Sequence, residues 1–182
     1  MKTKSPLFHT LIATITLVLG ACSTAPYTEE YQSQSPDFDI YDFFDGKVTA
    51  WAIVQNRKGE VVQRFRADID GSIDGGVLTL DERFTYFLGE GLERRIWRIR
   101  SNQQGQLIGE ADDIIGSANG QLYGNALNWQ YQMDLTVSSG TYRVRFDDWM
   151  WMLDTETLMN RAYIRKFGLV LAEVTLFMQK QP

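Results

Sequence analysis

The chain of 182 residues carries one cysteine, one histidine and four prolines. A single thiol excludes an internal disulfide, so no covalent staple supports the fold. The histidine is His9, inside the first 21 residues, and everything after it lacks imidazole. That excludes Ser-His-Asp and Cys-His nucleophilic machinery and every zinc site built on His or Cys. Catalysis here would have to rest on carboxylates, Lys, Tyr, Ser or a borrowed cofactor, and the sequence points to no cofactor. Long apolar runs are also missing. The longest, Leu7 to Leu19, falls short of the roughly 20 residues a membrane-spanning helix needs. Basic residues are the minority, 18 against 23 acidic. Nucleic acid and anionic headgroups both call for a basic surface, so neither is expected as the main partner.

The beginning of the chain holds the clearest local pattern. Lys2 and Lys4 precede the apolar run, and Leu19-Gly20-Ala21 precedes Cys22. This resembles a bacterial lipoprotein signal whose lipobox is Leu-Gly-Ala-Cys. The resemblance implies cleavage before Cys22, a diacylglycerol on its thiol and a further acyl chain, such as palmitate, on its new amino group. Several chains anchor firmly at about 0.8 kcal/mol per buried CH₂. Ser23 after the cysteine implies an outer-membrane address with the protein on the periplasmic face. The expected division is a signal peptide at 1–21, a lipidated cysteine and flexible Ser/Thr/Gln/Glu/Pro-rich tether at 22–36, and one folded domain at 37–182. Removing 1–21 takes away Lys2 and Lys4 and no acidic residue, which leaves 16 basic side chains against 23 acidic.

After Asp37 the chain alternates with a period of two. Phe65, Ala67 and Ile69 oppose Arg64, Arg66, Asp68 and Asp70, and Leu127, Trp129, Tyr131, Met133 and Leu135 oppose Asn128, Gln130, Gln132 and Asp134. Turns are expected at 56–59, 70–76, 89–91, 102–105, 117–120 and 138–140, each rich in Gly, Asn, Asp or Ser. A short helical turn is expected at Asp39 to Phe44. The reading is an all-β domain: a single antiparallel, lipocalin-like (calycin) barrel of about 8–10 strands, with a sandwich as the alternative. The charged residues on the polar faces speak against a lipid-facing outer-membrane barrel.

Several polar residues share faces with apolar ones. Glu82 lies in phase with Leu78, Leu80 and Phe84, and Asp148 with Val144 and Phe146, while Glu173 and Arg161 fall in the last two apolar segments. A buried charge needs a partner or a ligand. Either Glu82, Asp148 or Glu173 locks onto Arg95, Arg161 or Arg165, or some of them orient a bound molecule. The tryptophans Trp51, Trp97, Trp129, Trp149 and Trp151 suit a core or a pocket wall, and the alternation in Trp149 to Met152 marks a candidate pocket mouth or membrane-facing edge. The doublets Asp112-Asp113 and Asp147-Asp148 point to opposite faces of a strand, so neither alone makes an acid/base pair. Asp112, Asp113 and Asn119 lack a metal-loop spacing, and the glycines from Gly109 to Gly120 lack the Gly-Lys-Ser/Thr of a phosphate loop.

The segments Gly109 to Gly116, Phe146 to Met150, Met159 to Ala162, Lys166 to Gly168 and Glu173 to Phe177 resemble a family of proteobacterial lipoproteins catalogued as DUF3833. That family brings no catalytic or binding residues to carry over. Its implication is genomic grouping with lipid-modifying enzymes of the cyclopropane-fatty-acid-synthase type, hence envelope lipid chemistry and an envelope enzyme as partner. Phe38-Asp39, Phe43 to Gly46 and Trp51 are similar to the N-terminal start of lipocalin and calycin barrels. That similarity implies a structural role for Trp51, closing one barrel end beneath Arg161 or Arg165.

The expected function is binding of a hydrophobic small molecule, a fatty acid or other lipid, for envelope lipid handling. Trp97, Trp129, Tyr131 and Phe146 are expected to line the cavity, with Glu82 and Asp148 near a polar end. Trp51, Arg161 and Glu173 are expected to be structural, and no residue is assigned to catalysis or metal. Two rivals stand: a filled barrel acting as scaffold, and a carboxylate hydrolase.

Overall fold

A computed structural model describes residues 28–137 and 140–182. After two short helices, α1 (Thr28–Tyr31) and α2 (Ile40–Phe44), come ten strands: β1 (Gly46–Asn56), β2 (Val61–Asp74), β3 (Val77–Leu88), β4 (Arg94–Ser101), β5 (Leu107–Glu110), β6 (Ile114–Tyr123), β7 (Ala126–Val137), β8 (Gly140–Met152), β9 (Thr157–Lys166) and β10 (Leu169–Lys180). Each strand pairs antiparallel with its sequence neighbours, and β1 pairs with β10, from Val48 opposite Lys180 to Asn56 opposite Ala172. Closure leaves no sheet edge for another chain to extend. The all-β, antiparallel barrel read from alternation is the fold observed.

Alternation also decides what faces inward. Val48, Ala50, Ala52 and Val54 of β1, Phe65, Ala67 and Ile69 of β2, and Leu127, Trp129 and Tyr131 of β7 are buried. At about 25 cal/mol per Å² of apolar surface, this interior is the main stabilising term.

The two ends of the barrel differ. At one, α2 lies across the opening with Ile40, Phe43 and Phe44 buried. Asp39 caps it by accepting from the Tyr41 and Asp42 amides at 2.9 and 3.0 Å, worth about 1 kcal/mol. Gly71 of β2 permits this plug, because a Cβ there would lie 1.7 Å from the Phe44 carbonyl oxygen. The other end is reached by the β1–β2, β3–β4 and β9–β10 turns, and no helix of the described residues covers it.

Several sequence expectations fail here. Residues 28–36 are not a free tether: α1 lies within them, and the Tyr31 ring sits 6.1 Å from Trp149 and 6.2 Å from Trp151. The strap continues to Phe38, whose amide donates to the Gly124 carbonyl at 2.8 Å. Trp149 and Trp151 face outward near the α2 end, with Tyr123 stacked on Trp149 at 5.8 Å, so they are neither a pocket mouth nor an open edge. The segment 117–120 lies inside β6 rather than in a turn, and β2 continues to Asp74, leaving only Gly75 and Gly76 to turn. Finally, Trp51 does not close the barrel. Gly46 starts β1 and even-numbered residues point inward, so Trp51 lies outside, 43% exposed and 6.1 Å from Phe177. Arg161 covers the rings of Trp151 and Tyr163 at 5.7 and 5.1 Å instead, and Arg165 covers Tyr163. Glu173 likewise points outward, half-buried, because its neighbour Val174 takes the interior. Cys22 and the proposed signal lie outside the described residues.

Candidate functional site

The barrel interior holds a cavity of about 620 Å³. It opens between Val62 and Gln63 of β2, the 89–92 turn, and Leu135 to Val137 of β7. Small inward residues on one side, Ala50, Ala67, Ala162 and Ala172, leave the room that larger side chains would fill. The other side is built of rings. Trp97 meets Trp129 edge-on at 5.6 Å and Tyr131 edge-on at 5.3 Å, while Tyr131 stacks on Phe146 at 4.8 Å. Such pairs add about 0.5–1.5 kcal/mol each and hold the wall in one arrangement. Gly109 and Gly120 make space for it: a Cβ at either would fall 2.4 or 2.6 Å from the Trp129 ring. That is why glycines stand within β5 and β6.

Polar groups enter from several strands. Glu82 of β3 lies opposite Arg95 of β4 in register, and Asp148 of β8 lies beside Trp129. Because β5 is only four residues long, the 111–113 turn sits low against the wall and brings Asp113 to Arg95. Arg95 Nε donates to both Asp113 oxygens, at 3.1 and 3.0 Å, and Nη2 to Oδ2 at 2.6 Å. The guanidinium also lies over the rings of Trp97 and Tyr131, at 5.6 and 6.0 Å. Asp148 is 8% exposed, and its Oδ1 is buried with no hydrogen-bond partner among the described residues. Asn160 of β9 completes the polar lining and donates to the Trp149 carbonyl at 3.0 Å.

Burial dominates the ionisation of these groups. Desolvation pushes the Asp148 carboxyl up to about 8 against the pull of Arg95, with Asp147 and Glu82 adding to the rise. Desolvation also raises Glu82 to about 7, again opposed by Arg95 and reinforced by Asp113. Burial works against the charge on Arg95, but Tyr131, Glu82 and Asp113 more than offset it and hold the guanidinium charged. Desolvation, then the Asp148 charge, drive the Tyr131 hydroxyl well above its usual range. Near neutrality the chamber is therefore an Arg95–Asp113 ion pair beside a largely protonated Asp148 and a Glu82 close to half-protonated.

All six residues expected to face a cavity do so: Glu82, Trp97, Trp129, Tyr131, Phe146 and Asp148 line this one. Of the pairings considered for the buried charges, Arg95 is the cation that faces Glu82. Its main partner is Asp113, the second residue of the Asp112-Asp113 doublet. Arg95 itself was legible, since it shares parity with Trp97 and Ile99 along β4. Asp147 turns outward as its doublet requires, accepting from Asn128 and Gln130 at 3.0 Å each and lying 3.5 Å from Arg165.

The open end carries apolar side chains on several turns: Val61, Val62, Phe87, Leu88, Leu92, Val137 and Leu169 are exposed there. Phe167 is the extreme case, 92% exposed and at φ +50, a backbone region that costs a bulky residue about 1–2 kcal/mol.

Compared with solved structures, the chain is similar to the S-type phycobiliprotein lyase CPES from Guillardia theta, with a TM-score of 0.50 and 10% identity over 86% of this chain and 99% of that one. At that identity the likeness is one of fold. No curated protein matches the chain. A family model described as "Protein of unknown function (DUF3833)" matches residues 16–180.

Proposed function

Since the chain belongs to the DUF3833 family, whose description names no activity, we propose from its cavity that the protein binds a hydrophobic small molecule of the lipid class inside the barrel. The observation that carries this reading is the 620 Å³ chamber, walled by aromatic and aliphatic side chains with a few converging polar groups and open at one end. Sites for small ligands have this size and this balance of lining. A barrel fold shared with a phycobiliprotein lyase is in keeping with small-molecule binding. In this reading Cys22 tethers the protein by its lipid to the outer membrane, on the periplasmic face. The apolar rim receives an acyl or other lipid ligand, and an envelope enzyme supplies or takes it.

Two observations weigh against a scaffold with a filled barrel: the interior has room, and Trp149 is covered by the protein's own Tyr31 and Tyr123. A hydrolase built on Glu82 and Asp148 would need environments that push the two carboxyls apart, one acid and one base. Here burial raises both.

Titration with Nile red tests the reading. The protein should bind one dye molecule with a gain in emission, and Ala162→Trp, which fills the chamber beside Asp148, should weaken binding at least about tenfold. Ala67→Phe should act in the same direction from β2. Unchanged dye affinity in both folded variants would place the dye elsewhere and remove support for a binding chamber.

A further inference from the structure

We propose that the polar end of the chamber selects an apolar ligand bearing a cationic nitrogen, an amine-headed amphiphile, over one bearing a carboxylate; this rests on the reading of the chamber as a ligand site. Glu82 comes from β3, Arg95 from β4, Asp113 from the β5–β6 turn, Tyr131 from β7, Asp148 from β8 and Asn160 from β9. The inward residues of β1, β2 and β10 bring no charge to this level: Ala50, Phe65, Ala67, Ile69 and Val174 are apolar. One guanidinium thus meets three carboxyl groups.

That guanidinium is already committed. Both Nε and Nη2 donate to Asp113, and its face rests on Trp97 and Tyr131. A fatty-acid carboxylate entering the chamber would find its one lining cation among the described residues already paired with Asp113, and it would be desolvated without a counter-charge of its own, beside acids whose own ionisation burial already disfavours. An ammonium group would meet the opposite field. Asp148 Oδ1, buried and without a partner among the described residues, offers an acceptor, Glu82 a second carboxyl, and the aromatic wall a surface that attracts cations. The raised pKa of both acids agrees with this layout: burial outweighs the pull of Arg95, which Asp113 already holds, and a second cation would favour their ionised forms.

Binding an alkylammonium then has a signature besides affinity. The cation stabilises ionised Asp148, so the acid's proton leaves to solvent as the ion pair forms. Calorimetry of the full chain at pH 7, with dodecylamine, dodecanoate and dodecanol in two buffers of different ionisation heat, reads both quantities. Dodecylamine should bind at least about tenfold more tightly than dodecanoate and release close to one proton, whereas dodecanol should release none. Asp148→Asn should abolish the proton release and remove most of the amine's advantage over dodecanol. If that variant does not fold, Glu82→Gln carries the same test with a smaller effect. Tightest binding by dodecanoate, or an amine preference that survives in both variants, would overturn the proposal while leaving the chamber a ligand site. Failure of all three probes to bind would remove the chamber reading and this inference with it.

Discussion

Replacing Arg95 with methionine should lower stability by about 3 kcal/mol, toward the low end of the range for breaking a buried ion pair. The side chain and its partner Asp113 keep only 16% and 22% of their surface, and three of the hydrogen bonds in the chamber wall join them. Methionine preserves much of the packing against Trp97 and Tyr131 but leaves Asp113 half-buried without its cation. It also removes the one charge that opposes the rise of Glu82 and Asp148, so both acids should titrate higher still. For a domain of this size the midpoint of thermal unfolding should drop on the order of 10 °C. Asp113→Asn should cost less, because Glu82 can then ionise against Arg95 across the β3–β4 pair. A thermal scan of the two variants distinguishes this account from mere loss of packing, which would make Arg95→Met mild and the two variants equal.

Asp148→Asn should stabilise the protein, and increasingly so as pH rises. The unfolded carboxyl titrates near 3.8, whereas burial raises the folded one to about 8. Between those values the folded state holds a proton the unfolded state has lost. The wild-type protein is thus at its best below the lower value and loses stability up to the higher one, at no more than about 1.4 kcal/mol per pH unit for one group. Glu82 adds a narrower window, from 4.5 to about 7. Wild-type stability should fall by a few kcal/mol between pH 5 and pH 8, and Asp148→Asn should remove the larger part of that fall. Denaturant unfolding at the two pH values reads it directly. A wild-type profile that rises from pH 5 to pH 8 would mean that the two acids are paired and ionised rather than held protonated.

Alternation carried most of what the sequence revealed. In β7 it put Leu127, Trp129 and Tyr131 on one face, and the same parity found Glu82 and Asp148. What it could not carry were features set by contacts distant in sequence. Gly120 reads as a turn residue, but its purpose is to lie under the Trp129 ring, which only the β6–β7 pairing brings to it. Residues 28–36 are polar and read as tether, yet a single ring, Tyr31, docks them on an outward tryptophan pair. Trp51 shows parity overriding similarity: a lipocalin-type start suggested a barrel plug, while its odd position in β1 sends it outside and leaves Phe43 and Phe44 to close the end. Asp113 was hidden because its role depends on the shortness of β5, and a four-residue strand leaves little periodic signal.

The chamber's existence rests on small inward residues and a fixed aromatic wall, and its selectivity rests on the uneven number of charges around Arg95. A variant that alters one should leave the other readable: Ala162→Trp removes room without touching a charge, and Asp148→Asn removes a charge without adding bulk.

The most direct measurement of the central claim is native mass spectrometry of the intact protein purified from its host, with organic extraction of whatever accompanies it, run beside Ala162→Trp. The account predicts one apolar molecule per wild-type chain, identified in the extract and lost or strongly reduced in the filled variant. A bare wild-type mass, or the same adduct at the same occupancy in both proteins, would contradict it.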